Sequence, residues 1–139
     1  MRNANLKNSV LDSFAVLAFL FGETGHGKVV SLLESASKDD EVVYISALNW
    51  AEVRYIVERR KGSDEWNRVR QSLLALPIEV RAADRTLAEV AGEIKSSKKM
   101  SLADCFAAAL AKELKAELYT GDPEFQEVEK EVKIVWLSD

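Results

Sequence analysis

Cysteine and histidine each occur once in 139 residues. The lone Cys105 excludes an intrachain disulfide, and its place in an apolar helical pattern fits a buried small hydrophobe in a reducing cytoplasm. A nucleophilic cysteine or serine would need a base beside it. The single His26 sits in a glycine-rich stretch far from Cys105 in sequence. Long apolar runs are also missing. The run Phe14–Phe21 is well short of the ~20 residues that span a bilayer. Arg2 and Lys7 ahead of it imitate a secretory signal, but Asp12 interrupts the apolar region and no A-x-A-like site follows in Gly22–Gly27. The chain therefore reads as cytoplasmic and complete, with no membrane partner. Two prolines and six glycines leave no linker, and no repeat or low-complexity tract is visible.

What remains is ordinary globular material: 47% hydrophobic and 30% charged residues, enough for one domain with a sizeable core. A net charge of −4 argues against a protein that coats nucleic acid non-specifically. It does not exclude a nuclease, because an acidic metal site is negative until its cation arrives.

The apolar segments alternate between strand-like and helix-like. Ser9–Asp12 reads as a short buried strand, followed by a helix from Ser13 to about Phe21 and another over Lys28–Ser37. Glu41–Ile45 is β-branched and aromatic, hence a strand, and Ser46 caps a helix that runs to Arg60 and ends at Gly62. Asp64–Leu76 is a helix closed by Pro77, and Ile78–Val80 a strand. Ala83–Ser96 and Ser101–Ala116 are helices. Glu117–Thr120 and Lys133–Leu137 are the last strands, with a short helix at Pro123–Val128 between them. Strands separated by helices imply a single three-layer α/β/α domain over residues 1–139 around a central, mostly parallel sheet of four to five strands. In such sheets the ligand crevice lies beyond the carboxyl ends of the strands. Asp12 closes the first strand there, and Asp122 follows the fourth.

Four acids stand at such junctions: Asp12, Glu52, Asp104 and Asp122. Each has a plain structural reading. Asp12 can cap the helix it precedes, Asp122 stands before a proline at a helical start, and Asp104 three residues after Ser101 imitates a capping box. Glu52 is harder to explain that way. It aligns with Leu48, Tyr55 and Ile56 and so interrupts an apolar stripe, and Asn49 shares its face and could hold its carboxylate. Ala107, Ala108 and Ala111 follow Asp104 on its side of the helix, so that helix can lie close to a sheet and bury the acid. Carboxylates gathered in small or apolar surroundings suit a hard cation, since Mg²⁺ and Mn²⁺ take oxygen ligands.

The motifs DSFAVLAFL (Asp12–Leu20), NWAE (Asn49–Glu52), SLAD (Ser101–Asp104) and TGDPEF (Thr120–Phe125) together resemble the PIN domain, in particular the VapC-type toxins of prokaryotic toxin–antitoxin pairs. The resemblance runs from the first strand to VKIVW (Val132–Trp136). It implies a Mg²⁺- or Mn²⁺-dependent endoribonuclease in which Asp12, Asp104 and Asp122 hold the metal and Glu52 completes the acidic cluster. Ser13, Asn49 and Thr120 would orient the carboxylates. It also implies a small cognate antitoxin as partner, and a homodimer. RNA would be met by basic residues, foremost Lys98 and Lys99 at the start of the Asp104 helix, and Arg54; the alternative for each is a solvated helix face.

Three rivals compete. The stretch GETGHGK (Gly22–Lys28) matches the core of a phosphate-binding P-loop, but Val29 stands where Ser or Thr would ligate Mg²⁺, and a helix precedes it. A receiver-like signalling domain would end a central strand in an acid, whereas Ile78–Val80 is followed by Arg81. An inactive PIN-like module that only binds RNA or a partner would not need all four acids.

Overall fold

The computed structural model describes residues 8–138. Five strands, β1 (Ser9–Leu11), β2 (Val43–Ser46), β3 (Ile78–Arg81), β4 (Glu117–Thr120) and β5 (Ile134–Trp136), form one sheet in the order β3-β2-β1-β4-β5, with every neighbouring pair parallel. Successive side chains of a strand point to opposite faces, and the core divides accordingly. Val10, Tyr44 and Leu118 pack on one side, beneath helices α5 (Arg85–Ser97) and α6 (Leu102–Leu114). Leu11, Val43 and Ile45 pack on the other, beneath α1 (Ser13–Phe21), α2 (His26–Lys38), α3 (Ala47–Lys61) and α4 (Ser63–Leu74). The result is the three-layer α/β/α arrangement.

Strand order reverses between β1 and β4, which are neighbours although far apart in sequence. A crevice opens at the carboxyl ends of strands where such a reversal occurs. The residues immediately after β1 and β4 are therefore the ones this topology offers for chemistry.

Several element ends differ from the sequence-based expectation, each for a local reason. Helix α2 begins at His26, earlier than Lys28, because Gly25 takes φ 91° as its N-cap. Glycine is also required there by space: a Cβ would lie 2.5 Å from Leu137 Cβ. Helix α4 stops at Leu74, since the residue before Pro77 disfavours helical backbone. Helix α5 starts at Arg85 because Asp84 Oδ1 accepts the Leu87 N–H at 2.9 Å. Pro123–Val128 is a 3₁₀ turn.

Candidate metal centre

Asp12 follows β1 directly and is 1% exposed. Its Oδ1 caps α1, accepting the Ala15 N–H at 2.8 Å, and its Oδ2 accepts the Thr120 hydroxyl at 2.5 Å. Thr120 ends β4, the strand paired with β1. Its hydroxyl oxygen also accepts the Asp122 N–H at 3.0 Å, so one threonine ties the two acids at the point where the strand order reverses. Asp122 in turn caps the 3₁₀ turn, its Oδ1 accepting the Glu124 N–H at 2.9 Å. The plain capping readings of Asp12 and Asp122 are thus true. They do not compete with a site, because Asp122 caps with one oxygen only and each hydrogen-bonded oxygen of Asp12 keeps a further lone pair.

Asp104 stands in the first turn of α6, and its N–H donates to Ser101 Oγ at 3.2 Å. Ala107, Ala108 and Ala111 behind it are buried, which lets α6 lie close to the sheet, and Asp104 is only 7% exposed.

Asn49 does something other than expected. It does not bond Glu52. Its Nδ2 donates to Ser13 Oγ at 3.1 Å and to Ala103 O at 3.3 Å, and its Oδ1 accepts the Ser46 hydroxyl at 2.5 Å. The buried stripe of α3 is Asn49, Val53 and Val57, at helical spacing, with Glu52 half-buried beside it. Asn49 therefore points into the core, where it joins the starts of α1, α3 and α6. Ser13 likewise spends its hydroxyl on Asn49 O, at 3.3 Å, and bonds no carboxylate. Of the three supporting residues read from the sequence, only Thr120 touches an acid. Tyr55, read as part of the apolar stripe, is 44% exposed.

One carboxylate oxygen from each of Asp104, Asp122 and Glu124 lies within 4.8 Å of the other two. The sequence-based trio was Asp12, Asp104 and Asp122. Glu124 stands in this closer group, with Asp12 buried behind it, and the group opens to solvent on the Glu124 side. Glu124 had been read only as a letter of TGDPEF. The available signal was its place two residues after Asp122 across a proline, where Asp122 receives its N–H.

The electrostatics bind the acids into one unit. Burial pushes Asp12 up from 3.8 to about 7, against the Thr120 and Ala15 hydrogen bonds, and the charges of Asp122 and Glu52 push it further. Burial likewise raises Asp104 from 3.8 to about 8, aided by Asp122 and Asp12, opposed by Ser101, and aided again by Glu124. Acids that cannot all ionise together will ionise around a cation. The donors are all carboxylate oxygens, and three of them, both of Asp12 and one of Asp122, are already oriented by hydrogen bonds, which is the chemistry a hard divalent ion requires. These residues fit Mg²⁺ or Mn²⁺.

The remaining candidates lie elsewhere. Cys105 is fully buried and burial raises its thiol, as for an inert core cysteine. His26 stacks on Phe19 at 5.8 Å. Arg54 pairs with Glu58 at 3.5 Å and Lys98 with Glu131 at 3.5 Å, while the Lys99 N–H donates to Glu127.

The PIN domain matches residues 9–131 of the chain. The chain belongs to the PIN domain family. Among curated proteins none matches it in sequence. Solved structures share its fold. VapBC2 from Rickettsia felis, bound to a DNA fragment from its promoter, matches with a TM-score of 0.74 at 17% identity, over 91% of this chain and 96% of that one. VapC20 from Mycobacterium tuberculosis, a sarcin–ricin loop cleaving toxin, matches with 0.69 at 22% identity, over 86% and 93%. FitAcB from Neisseria gonorrhoeae matches with 0.67 at 26% identity, over 91% and 95%. As a PIN domain, the chain is neither a receiver nor a P-loop protein. Its Gly22–Lys28 stretch is the turn after α1 (Gly22–Gly25) followed by the first residues of α2, and Lys28 Nζ donates to Trp136 O at 2.7 Å. Among the described residues of this PIN domain, no single helix is long and apolar enough to cross a membrane.

Proposed function

We propose that this PIN domain is a Mg²⁺- or Mn²⁺-dependent endoribonuclease and the toxin of a toxin–antitoxin pair, acting in the cytoplasm. The observation that carries this reading is the acidic group at the β1/β4 reversal: Asp104, Asp122 and Glu124 close together, with Asp12 buried behind and bonded to Thr120. Asp104, Asp122 and Glu124 would hold the ion on its open side. Asp12 and Glu52 would complete the negative field, directly or through water. A divalent ion bound there supplies an activated water and offsets charge developing on a scissile phosphate. Thr120 holds Asp12 and the Asp122 backbone in fixed relation, so the acids need little reorganisation. No side chain need act as nucleophile.

Arg54, Lys98 and Lys99 are the basic residues proposed to meet the RNA backbone. Arg54 and Lys98 would exchange Glu58 and Glu131 for phosphate. The partner is a small cognate antitoxin, in line with neighbours solved as VapBC complexes, and the assembly a homodimer. Purified protein should cleave RNA with Mn²⁺ or Mg²⁺ present and stop doing so with EDTA or as Asp104→Asn. Expression of wild type alone should slow growth, while Asp104→Asn at equal level should not. Intact RNA in all reactions, together with equal growth, would leave an inactive PIN-like binding module as the better description.

A further inference from the structure

Phe14 is the second residue of α1, and it is 40% exposed while Ser13, Ala15 and Val16 around it are buried. Its ring lies on Gly121, where a Cβ would come within 2.6 Å of Phe14 Cζ and nearer still to Cε1. Glycine is therefore what lets the ring sit this close to the connection after β4. The next residue is Asp122, and Phe14 itself is two residues beyond Asp12. The ring is thus fixed at the lip of the acidic group, with one side on backbone and the rest open. Tyr55, also exposed, has Arg59 over its face at 4.9 Å. Phe14 has no such ring or cation partner among the described residues.

Leu102 opens α6 two residues before Asp104 and is 51% exposed, but that spacing turns its side chain away from the helix face that carries Asp104. The hydrogen bonds from Asn49 to Ser13 and Ala103 hold these two helix starts together. An exposed aromatic ring beside an acidic centre needs a reason, because exposed large apolar side chains are few among the described residues: Tyr55, Leu74 and Leu102 complete that set.

RNA supplies one. Arg54, Lys98 and Lys99 are proposed to meet the RNA backbone, but the clustered carboxylates at the centre itself neutralise no phosphate. Bases, unlike phosphates, can be held without charge. Stacking on an aromatic face is tolerant of sequence and strong enough to anchor a nucleotide. We propose that Phe14 is a stacking platform for one unpaired base beside the scissile phosphate. The site would then select a nucleotide that is single-stranded or flipped out. This inference rests on the ribonuclease reading above and adds to it the residue that would hold a base.

The test uses short single-stranded RNAs in two arms. In the first, 2-aminopurine is walked along the strand with Ca²⁺ present. Wild type should quench it at one position, Phe14→Trp should retain the quenching, and Phe14→Ala should lose it. Phe14→Leu, which keeps an apolar contact on Gly121, should lose it too, which separates stacking from folding. In the second arm, cleavage by Phe14→Ala should show KM raised roughly tenfold, the scale of one lost base stack, with kcat nearly unchanged. An abasic nucleotide at the quenched position should cost wild type the same and the variant nothing more. Equal quenching by wild type and Phe14→Leu, or additive losses in the abasic series, would overturn the proposal. So would unchanged cleavage by Phe14→Ala combined with lost antitoxin binding, which would make the ring a protein contact. Quenching that depends on Phe14 in a protein that cleaves nothing would keep the platform and reject the ribonuclease reading.

Discussion

Asp12 and Asp104 ionise near 3.8 in an unfolded chain but keep their protons to about 7 and about 8 when folded. Between those limits the folded state binds more protons than the unfolded one, so metal-free stability must fall as pH rises from about 4 to about 8. Denaturant melts without metal should show that slope, and Asp104→Asn should flatten it and be the more stable protein at pH 8. Mn²⁺ should stabilise wild type more at pH 8 than at pH 5. A metal-free protein whose stability rises over this range would contradict the assigned burial of the two acids. At this scale the sequence was legible where one residue has one job. Cys105 read as core and is core. It was less legible where one residue has two, as with Asp12, whose capping oxygen and site oxygen belong to the same carboxylate. Glu124 escaped notice because a glutamate in the first turn of a helix usually needs no further explanation.

The elements act as positioning devices, and the starts of α1, α3 and α6 are fixed to one another chiefly through Asn49. Asn49→Ala removes the side-chain bonds to Ser13, Ala103 O and Ser46, of which Ser13 and Ser46 are buried, and keeps only the backbone bonds to those two serines. It should cost ~1–3 kcal/mol in denaturant melts, and it should weaken Mn²⁺ binding although Asn49 touches no carboxylate. Stability lost with Mn²⁺ affinity unchanged would reduce Asn49 to a core residue. Element type was readable throughout, since short apolar, β-branched strands and capped helices announce themselves locally. Helix ends were less so. Gly25 starts α2 through a left-handed cap and a close approach to Leu137, at the far end of the chain, and no local pattern reports that contact. Asn49 was misjudged for the same reason: sharing a helix face with Glu52 is a local fact, and its partners on α1 and α6 are not.

At the scale of the whole molecule, the parallel order β3-β2-β1-β4-β5 brings residues separated by the length of the chain to one end of one sheet. The sequence could say that Asp12 and Asp122 end strands. Only the pairing of β1 with β4 says that they meet. The central claim is that the acids gathered there are one divalent-cation centre, and calorimetric titration with Mn²⁺ at pH 7 tests it most directly. Wild type should bind and release protons as it does so, because Asp12 and Asp104 hold theirs until the ion arrives. Asp104→Asn, Asp122→Asn and Glu124→Gln should each weaken binding, and Asp12→Asn should weaken it roughly 10–100-fold as an orienting residue. The opposite result, Mn²⁺ affinity unchanged in all four variants, would mean that the carboxylates are caps and neighbours with no shared ion.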